Sequence, residues 1–256
     1  MFSRESYAGL RKETLTLKQS PSTSCLIRVW DPGVRIFHWL LVSGVLLCFL
    51  SSDEDSPLSA WHTPIGWIVG VLIVFRLVWG FIGGQHARFA NFAPPSQIGA
   101  HVRELLEGRP RPSLGHSPLG TVSVLVLLGL TAATVVTGLS GGEDAHSTAA
   151  FFLLALVAAH VAGVIVMSHL TRDNLVSAMV TGTKDASRHP DARDADPPTR
   201  LAAPVAAVVI GAAAYTATRV DPQAFVPHTA SDGMEAREAG GHPNGRQGNE
   251  PRTEED

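Results

Sequence analysis

Apolar residues are concentrated in long blocks rather than spread evenly along the chain. Four blocks are each about 17 to 22 residues long, which is the length that a helix needs to cross a bilayer. They predict transmembrane helices over residues 34–52, 61–82, 117–140 and 145–170. A fifth block, rich in alanine, is just long enough to span over residues 201–218. The predicted fold class is therefore all-α: an integral membrane four-helix bundle with a fifth transmembrane helix.

The polar segments divide the chain around these helices. Residues 1–27 are predicted to be a loose cytoplasmic arm, residues 28–184 the four-helix core, and residues 185–200 a cytoplasmic linker. Residues 219–256 are rich in Gly, Pro and charge, which is typical of a disordered tail. An N-cap followed by a first-turn proline is expected to begin the first and third helices, at Asp31-Pro32 and Ser117-Pro118.

The placement of Lys and Arg predicts an orientation in the membrane. Basic residues precede the first helix, fill the second loop and follow the fourth helix, whereas the first and third loops contain acidic residues only. By the positive-inside rule, both ends of the four-helix core, and with them the N-terminus, face the cytoplasm. The tail beyond a spanning fifth helix would then lie outside the cytoplasmic membrane. A net charge of −3 gives no indication of nucleic acid as a partner.

Four histidines are predicted to form two metal-ligand pairs inside the membrane. Histidine is costly there unless it is paired or liganded, and imidazole is a common axial ligand of haem iron. His146 and His160 are fourteen residues apart on one helix, so they share a face at depths about 21 Å apart. His62 opens its helix at the outer level of His146, and His38 lies at the inner level of His160. Depth therefore pairs His62 with His146 and His38 with His160, although either outer residue alone could be an ordinary interfacial histidine.

Arg76 supports the same interpretation. It interrupts an apolar run fourteen residues after His62, which places it on the same face at the inner level. A buried guanidinium needs an anion, and the four apolar blocks contain no acidic residue, so a haem propionate is the predicted partner. Arg35 is a second candidate for binding a haem propionate or else extends to the interface, and His169 either contacts a quinone or propionate or extends in the same way.

The remaining histidines, glycines and cysteines have simpler interpretations. His86, His101 and His116 are expected to be solvated polar residues of the second loop. Gly66 and Gly70 form a G-x-x-x-G pattern, which indicates close helix packing or room for a porphyrin. With two cysteines and no C-x-x-C-H, the chain has neither a disulfide framework nor a site for covalent c-type haem.

Four runs of the sequence share both residue type and spacing with a known family: 28–39, 61–80, 115–120 and 160–175. They resemble the bacterial b561-type cytochromes, and most closely the b-type cytochrome subunits of nickel-iron hydrogenases. The resemblance implies two haem b groups in a multi-pass protein of the bacterial inner membrane. In that family the axial ligands fall at the positions of His38, His62, His146 and His160.

The resemblance also implies a function. Such a core exchanges electrons across the bilayer between a quinone pool, with quinone as a diffusible substrate, and a redox partner, either a hydrogenase or a c-type cytochrome. We therefore expect an electron-transfer subunit of a respiratory chain, surrounded by membrane lipid, and leave open whether its complex is a quinone oxidoreductase. The alternatives are a haem-free transporter in which histidines relay protons, and a membrane anchor for a peripheral complex. No catalytic nucleophile or phosphate-binding glycine loop indicates a stand-alone hydrolase or transferase.

Overall fold

The computed structural model of the protein describes residues 26–110 and 112–227. Most of the predicted N-terminal arm and the tail from residue 228 lie outside the described residues. Five helices of the described chain are long and apolar enough to cross a membrane. This finding confirms the all-α membrane fold class.

The helices and strands follow one another in a simple order. The elements are β1 (Leu26–Arg28), α1 (Pro32–Leu50), α2 (His62–Ile82), α3 (Ile98–Leu106), α4 (Pro118–Leu139), α5 (Glu143–Thr171), α6 (Leu175–Thr181), β2 (Thr183–Asp185) and α7 (Ala202–Val220). The five long helices begin and end within two residues of the predicted spans. Short 3₁₀ turns, which are not numbered, occupy parts of the loops.

Polar caps begin α1 and α4 at the predicted residues. Asp31 and Ser117 each accept a hydrogen bond from the backbone N–H three residues further on, and a proline follows each of them. The Asp31 carboxylate also accepts from the indole Nε1 of Trp79, at 3.0 Å, and from the backbone N–H of Gly84, at 3.2 Å. One carboxylate therefore both starts α1 and holds the end of α2 beside it.

The long helices pack as a chain of neighbours. α1 packs on α2, α2 on α4, and α4 on α5, while α7 packs along another side of α2. α5 makes no comparably extensive backbone contact with α1 or α2. The buried core that joins α1, α2, α4 and α7 is mostly aliphatic and aromatic: Val34, Phe37, Ile73, Phe75, Trp79, Leu128 and Ala206. Helix α5 is therefore joined to the rest of the bundle mainly through α4.

A small β-ribbon joins the two ends of the core. Strand β1 pairs antiparallel with β2, with Ile27 opposite Lys184. The side chain of Ile27 is buried, and Arg28 forms an exposed ion pair with Asp194 of the linker at 3.0 Å. The expectation of a loose arm is therefore wrong for residues 26 and 27, because burial of Ile27 and the ladder hydrogen bonds order them.

A buried ion pair holds together the segments of the chain that lie next to this ribbon. The Asp173 carboxylate lies 2.8 Å from Lys184 Nζ and 3.1 Å from His189 Nε2, and all three side chains are buried. Lys184 Nζ also donates to the carbonyl of Ser113 at 2.9 Å. Burial alone would raise the pKa of Asp173, but the hydrogen bond and charge of Lys184, and then those of His189, hold this pKa below its usual range.

Replacing Lys184 by methionine is expected to destabilise the protein. The change leaves Asp173 as a buried charge without its closest cation, and breaking such a pair costs about 3 kcal/mol or more in the free energy of unfolding. Arg28→Met is the matched control, because it breaks an exposed pair worth less than about 1 kcal/mol. Thermal unfolding in detergent compares the two variants. Equal melting temperatures for the two variants would show that the buried pair contributes no more to stability than the exposed pair.

Candidate functional site

Two histidine rings face each other at the outer level of the bundle. His62 lies at the start of α2 and His146 in the first turn of α5, and their ring centroids are 5.9 Å apart with the planes nearly perpendicular. A metal–imidazole bond is about 2 Å long, so the space between the rings accommodates one metal ion. The structure thus brings together His62 and His146, which were predicted to pair because they lie at the same level of the membrane.

Backbone carbonyls fix both rings of this outer pair. His62 Nδ1 lies 3.0 Å from the carbonyl oxygen of Cys48, and His146 Nδ1 lies 2.8 Å from that of Thr134. A carbonyl oxygen only accepts, so each Nδ1 carries the hydrogen and donates it. This tautomer leaves both Nε2 lone pairs free for a metal, the arrangement in which histidine ligates most effectively.

A mainly apolar cavity of about 500 Å³ surrounds the outer pair. It is lined by residues of α1, α2, α4 and α5, and its size is that of a cofactor site. Within the described residues, no group of three or more His, Cys, Asp or Glu could hold a metal ion. Two protein ligands in a large apolar cavity fit an iron whose other ligands come from a macrocycle.

The two glycines of the G-x-x-x-G pattern have different surroundings. Gly66 lines the cavity, and a Cβ added there would meet no atom within 4 Å. A Cβ at Gly70 would lie 3.3 Å from a methyl of Val135 on α4. Gly66 therefore leaves room for a flat cofactor, whereas Gly70 permits close helix packing, so each of the two interpretations applies to one glycine.

The inner pair is His38 of α1 and His160 of α5, which lie close enough to interact electrostatically. His160 Nδ1 lies 3.1 Å from the hydroxyl of Ser123 on α4. His38 Nδ1 is buried and has no hydrogen-bond partner within the described chain, and its ring contacts that of Trp39 at 5.1 Å. The inner ring of α5 is therefore oriented by a side chain, and the outer ring by a main-chain carbonyl.

Arg76 is buried inside the bundle, and no carboxylate of the described residues forms an ion pair with it, although the charge of Asp31 acts on it from a greater distance. Its side chain is 2% exposed, and its Nη1 has no hydrogen-bond partner among the described residues. Its Cζ lies 4.7 Å from the centre of the Phe89 ring, a cation–π contact that offsets part of the cost of burial. An unpartnered guanidinium nitrogen at this depth fits the carboxylate of a cofactor.

Arg35 and His169 have different environments. The Arg35 guanidinium donates to the carbonyl of Val180 near the C-terminus of α6, where the helix dipole favours a cation, and its Nε is buried without a partner. His169 is exposed in the last turn of α5. Arg35 thus has a protein partner for part of its guanidinium, which Arg76 Nη1 lacks.

The expectation of solvated histidines in the second loop is wrong for His101, which is buried, whereas His86 and His116 are half-buried among other side chains. His101 is only 5% exposed. The ring of His116 lies between those of Trp30, at 4.8 Å, and Phe92, at 5.0 Å. Burial, followed by the charge of Arg76, lowers the pKa of His116 to about 3.

His86 adjoins this cluster. Burial, followed by the charge of Lys184, lowers its pKa, and its Nε2 is buried without a partner in the described chain. Gly115 approaches the ring so closely that a Cβ there would lie 2.5 Å from Nδ1. The Gly115-His116 pair, which already stood out in the sequence, was the available signal for this cluster.

Comparison with known proteins agrees with the geometry. The family model for prokaryotic cytochrome b561 matches residues 29–182. A "Probable Ni/Fe-hydrogenase B-type cytochrome subunit" of Bradyrhizobium diazoefficiens is 20% identical over 62% of this chain and 85% of that relative. Its counterpart in Azotobacter vinelandii is 26% identical over 38% of this chain. The chain spans about half the length of the Azotobacter relative, at 51%. No solved structure matches.

Proposed function

Because the chain belongs to the prokaryotic cytochrome b561 family, and so is a membrane b-type cytochrome of electron transfer, we propose that it holds two haem b groups. One lies between His62 and His146, and the other between His38 and His160. The observation that carries this proposal is the outer pair, whose rings stand 5.9 Å apart beside a large cavity with both Nδ1 atoms committed to carbonyls.

The proposed role is to carry electrons across the bilayer between a quinone pool and a redox partner. Haem iron supplies a one-electron change of valence that is tuned by axial ligands, burial and nearby charge. The names of the two relatives support a hydrogenase as the partner, and a c-type cytochrome is the alternative. The distribution of Lys and Arg supports a cytoplasmic N-terminus, with the outer pair toward the periplasm.

Each protein group then has a stated task. The carbonyls of Cys48 and Thr134 hold the outer imidazoles in the tautomer that ligates iron, and the Ser123 hydroxyl orients His160. Arg76 binds a propionate of the inner haem, and Arg35 is the second candidate for that task. Family membership gives no support to a haem-free proton relay or a simple membrane anchor.

The quinone is proposed to approach from the inner side. His169 is exposed and could hydrogen-bond a quinone carbonyl. An open cavity of about 350 Å³ on α1, lined by residues that include Arg35 and Trp39, is the stronger candidate. This cavity adjoins the proposed inner haem site, because the Trp39 ring that lines it contacts the ring of His38.

The first test is haem content after loss of one inner ligand. His160→Ala is expected to reduce haem b from about two per chain to about one, because iron cannot keep two imidazole ligands at that site. Pyridine haemochrome assay of the purified protein measures the number. His169→Ala, on the same helix, is the control and should keep about two. A full complement in the His160 variant would contradict the ligand assignment.

Filling the outer cavity should remove the other haem. Gly66→Leu places an isobutyl group in space that the cofactor needs, whereas Gly129→Leu makes the same change on the exposed side of α4. We expect about one haem per chain in the first variant and about two in the second. The proposal for the outer site fails if both variants bind haem equally.

Arg76 should set the potential of the inner haem alone. Arg76→Gln removes a buried cation that favours the reduced form, so one of two midpoint potentials is expected to fall by about 30 to 60 mV, at about 59 mV per tenfold change in the ratio of oxidised to reduced haem. Arg76→Lys, which keeps the charge, should move it less. Potentiometric titration resolves both steps, and equal shifts of both haems would contradict the assignment.

A further inference from the structure

Helix α7 lies outside the region that matches the family, yet it packs along α2 from Ile82 back to Trp67. At one end, the backbone N–H of Thr199 donates to the carbonyl of Ile82, at 3.2 Å, where α2 ends. At the other end, Asp221 bonds to Trp67 in the second turn of α2. The two helices are therefore antiparallel, and the end of α7 lies at the outer level of the bundle.

Trp67 is shared between α7 and the outer cavity. Its Nε1 donates to Asp221 Oδ2 at 3.1 Å, and its ring is 9% exposed. Ala217, Ala224 and Phe225 pack against it from α7 and the segment that follows. The same ring lines the cavity beside the outer histidine pair. Trp67 is therefore the part of the cavity wall against which α7 packs.

The hydrogen bond from Trp67 to Asp221 fixes the orientation of the indole ring in the cavity wall. Indole nitrogen can only donate, and a carboxylate acceptor makes a stronger bond than a neutral one. A ring of this size buried with its N–H paired has one preferred orientation. Without the acceptor, the ring would have to turn its donor toward another partner or admit water to satisfy it.

We infer that Asp221 is a positioning residue of the outer haem site, acting through Trp67 to keep that face of the cavity closed to water. The inference rests on the proposed outer haem. Water reaching a haem favours the charged ferric form, because the surroundings of a metal site control solvent access and through it the redox potential. An opened wall should therefore lower the potential of the outer haem and leave the inner haem unchanged.

A pair of variants isolates this effect from that of charge. Asp221→Asn and Asp221→Ala lose the same negative charge, but only asparagine keeps an oxygen acceptor for the indole. In potentiometric titration of the full-length protein, the outer haem of the alanine variant is expected to be about threefold to tenfold harder to reduce than that of the asparagine variant. This difference is about 28 to 59 mV at about 59 mV per tenfold.

Trp67→Phe tests the same contact from the other side. Phenylalanine keeps an aromatic ring but has no N–H donor, so the outer potential should fall without any change of net charge. In that background, Asp221→Ala and Asp221→Asn should give the same potential. Equal potentials for the two Asp221 variants in the tryptophan background, with two haems retained, would overturn the inference but leave the haem assignment intact. Fewer than two haems in the unmodified protein would instead overturn the proposed function itself.

Discussion

An unpaired polar group is costly in the interior of a membrane bundle, and most features of this structure follow from that cost. Water is absent from the hydrocarbon region, so each imidazole or guanidinium there needs a partner from the protein or from a cofactor. The outer imidazoles use carbonyls for one nitrogen, and His160 uses a serine hydroxyl. Among the described residues, Arg76 Nη1 is left unpaired, and a bound anion there would offset part of the cost of its burial.

The same constraint explains how the helices are arranged. α5 carries a ligand of each proposed site but packs mainly on α4, so it presents its histidines across a gap to α1 and α2. A flat cofactor bound between these helices would contact apolar side chains on both sides, and the histidines would hold its iron. Binding of the cofactor and stability of the bundle are therefore expected to depend on each other.

Sequence patterns predicted the spans and the outer pair well because both follow simple periodic rules. Block length located the five helices, and fourteen-residue spacing put His146 and His160 on one face. The buried loop histidines and the Asp173–Lys184 pair were missed because they depend on contacts between distant segments. No local pattern shows that Lys184 meets Ser113, or that Trp67 meets Asp221, which lies beyond the residues that match the family model.

Two separate sites, each with a pair of histidine ligands, are central to the proposed function. The most direct measurement is electron paramagnetic resonance of the oxidised, purified protein, with spins counted against protein. Two low-spin ferric signals of about one spin each per chain would agree with two bis-histidine sites. A single signal, or a high-spin signal from iron with an open position, would contradict the paired-histidine assignment.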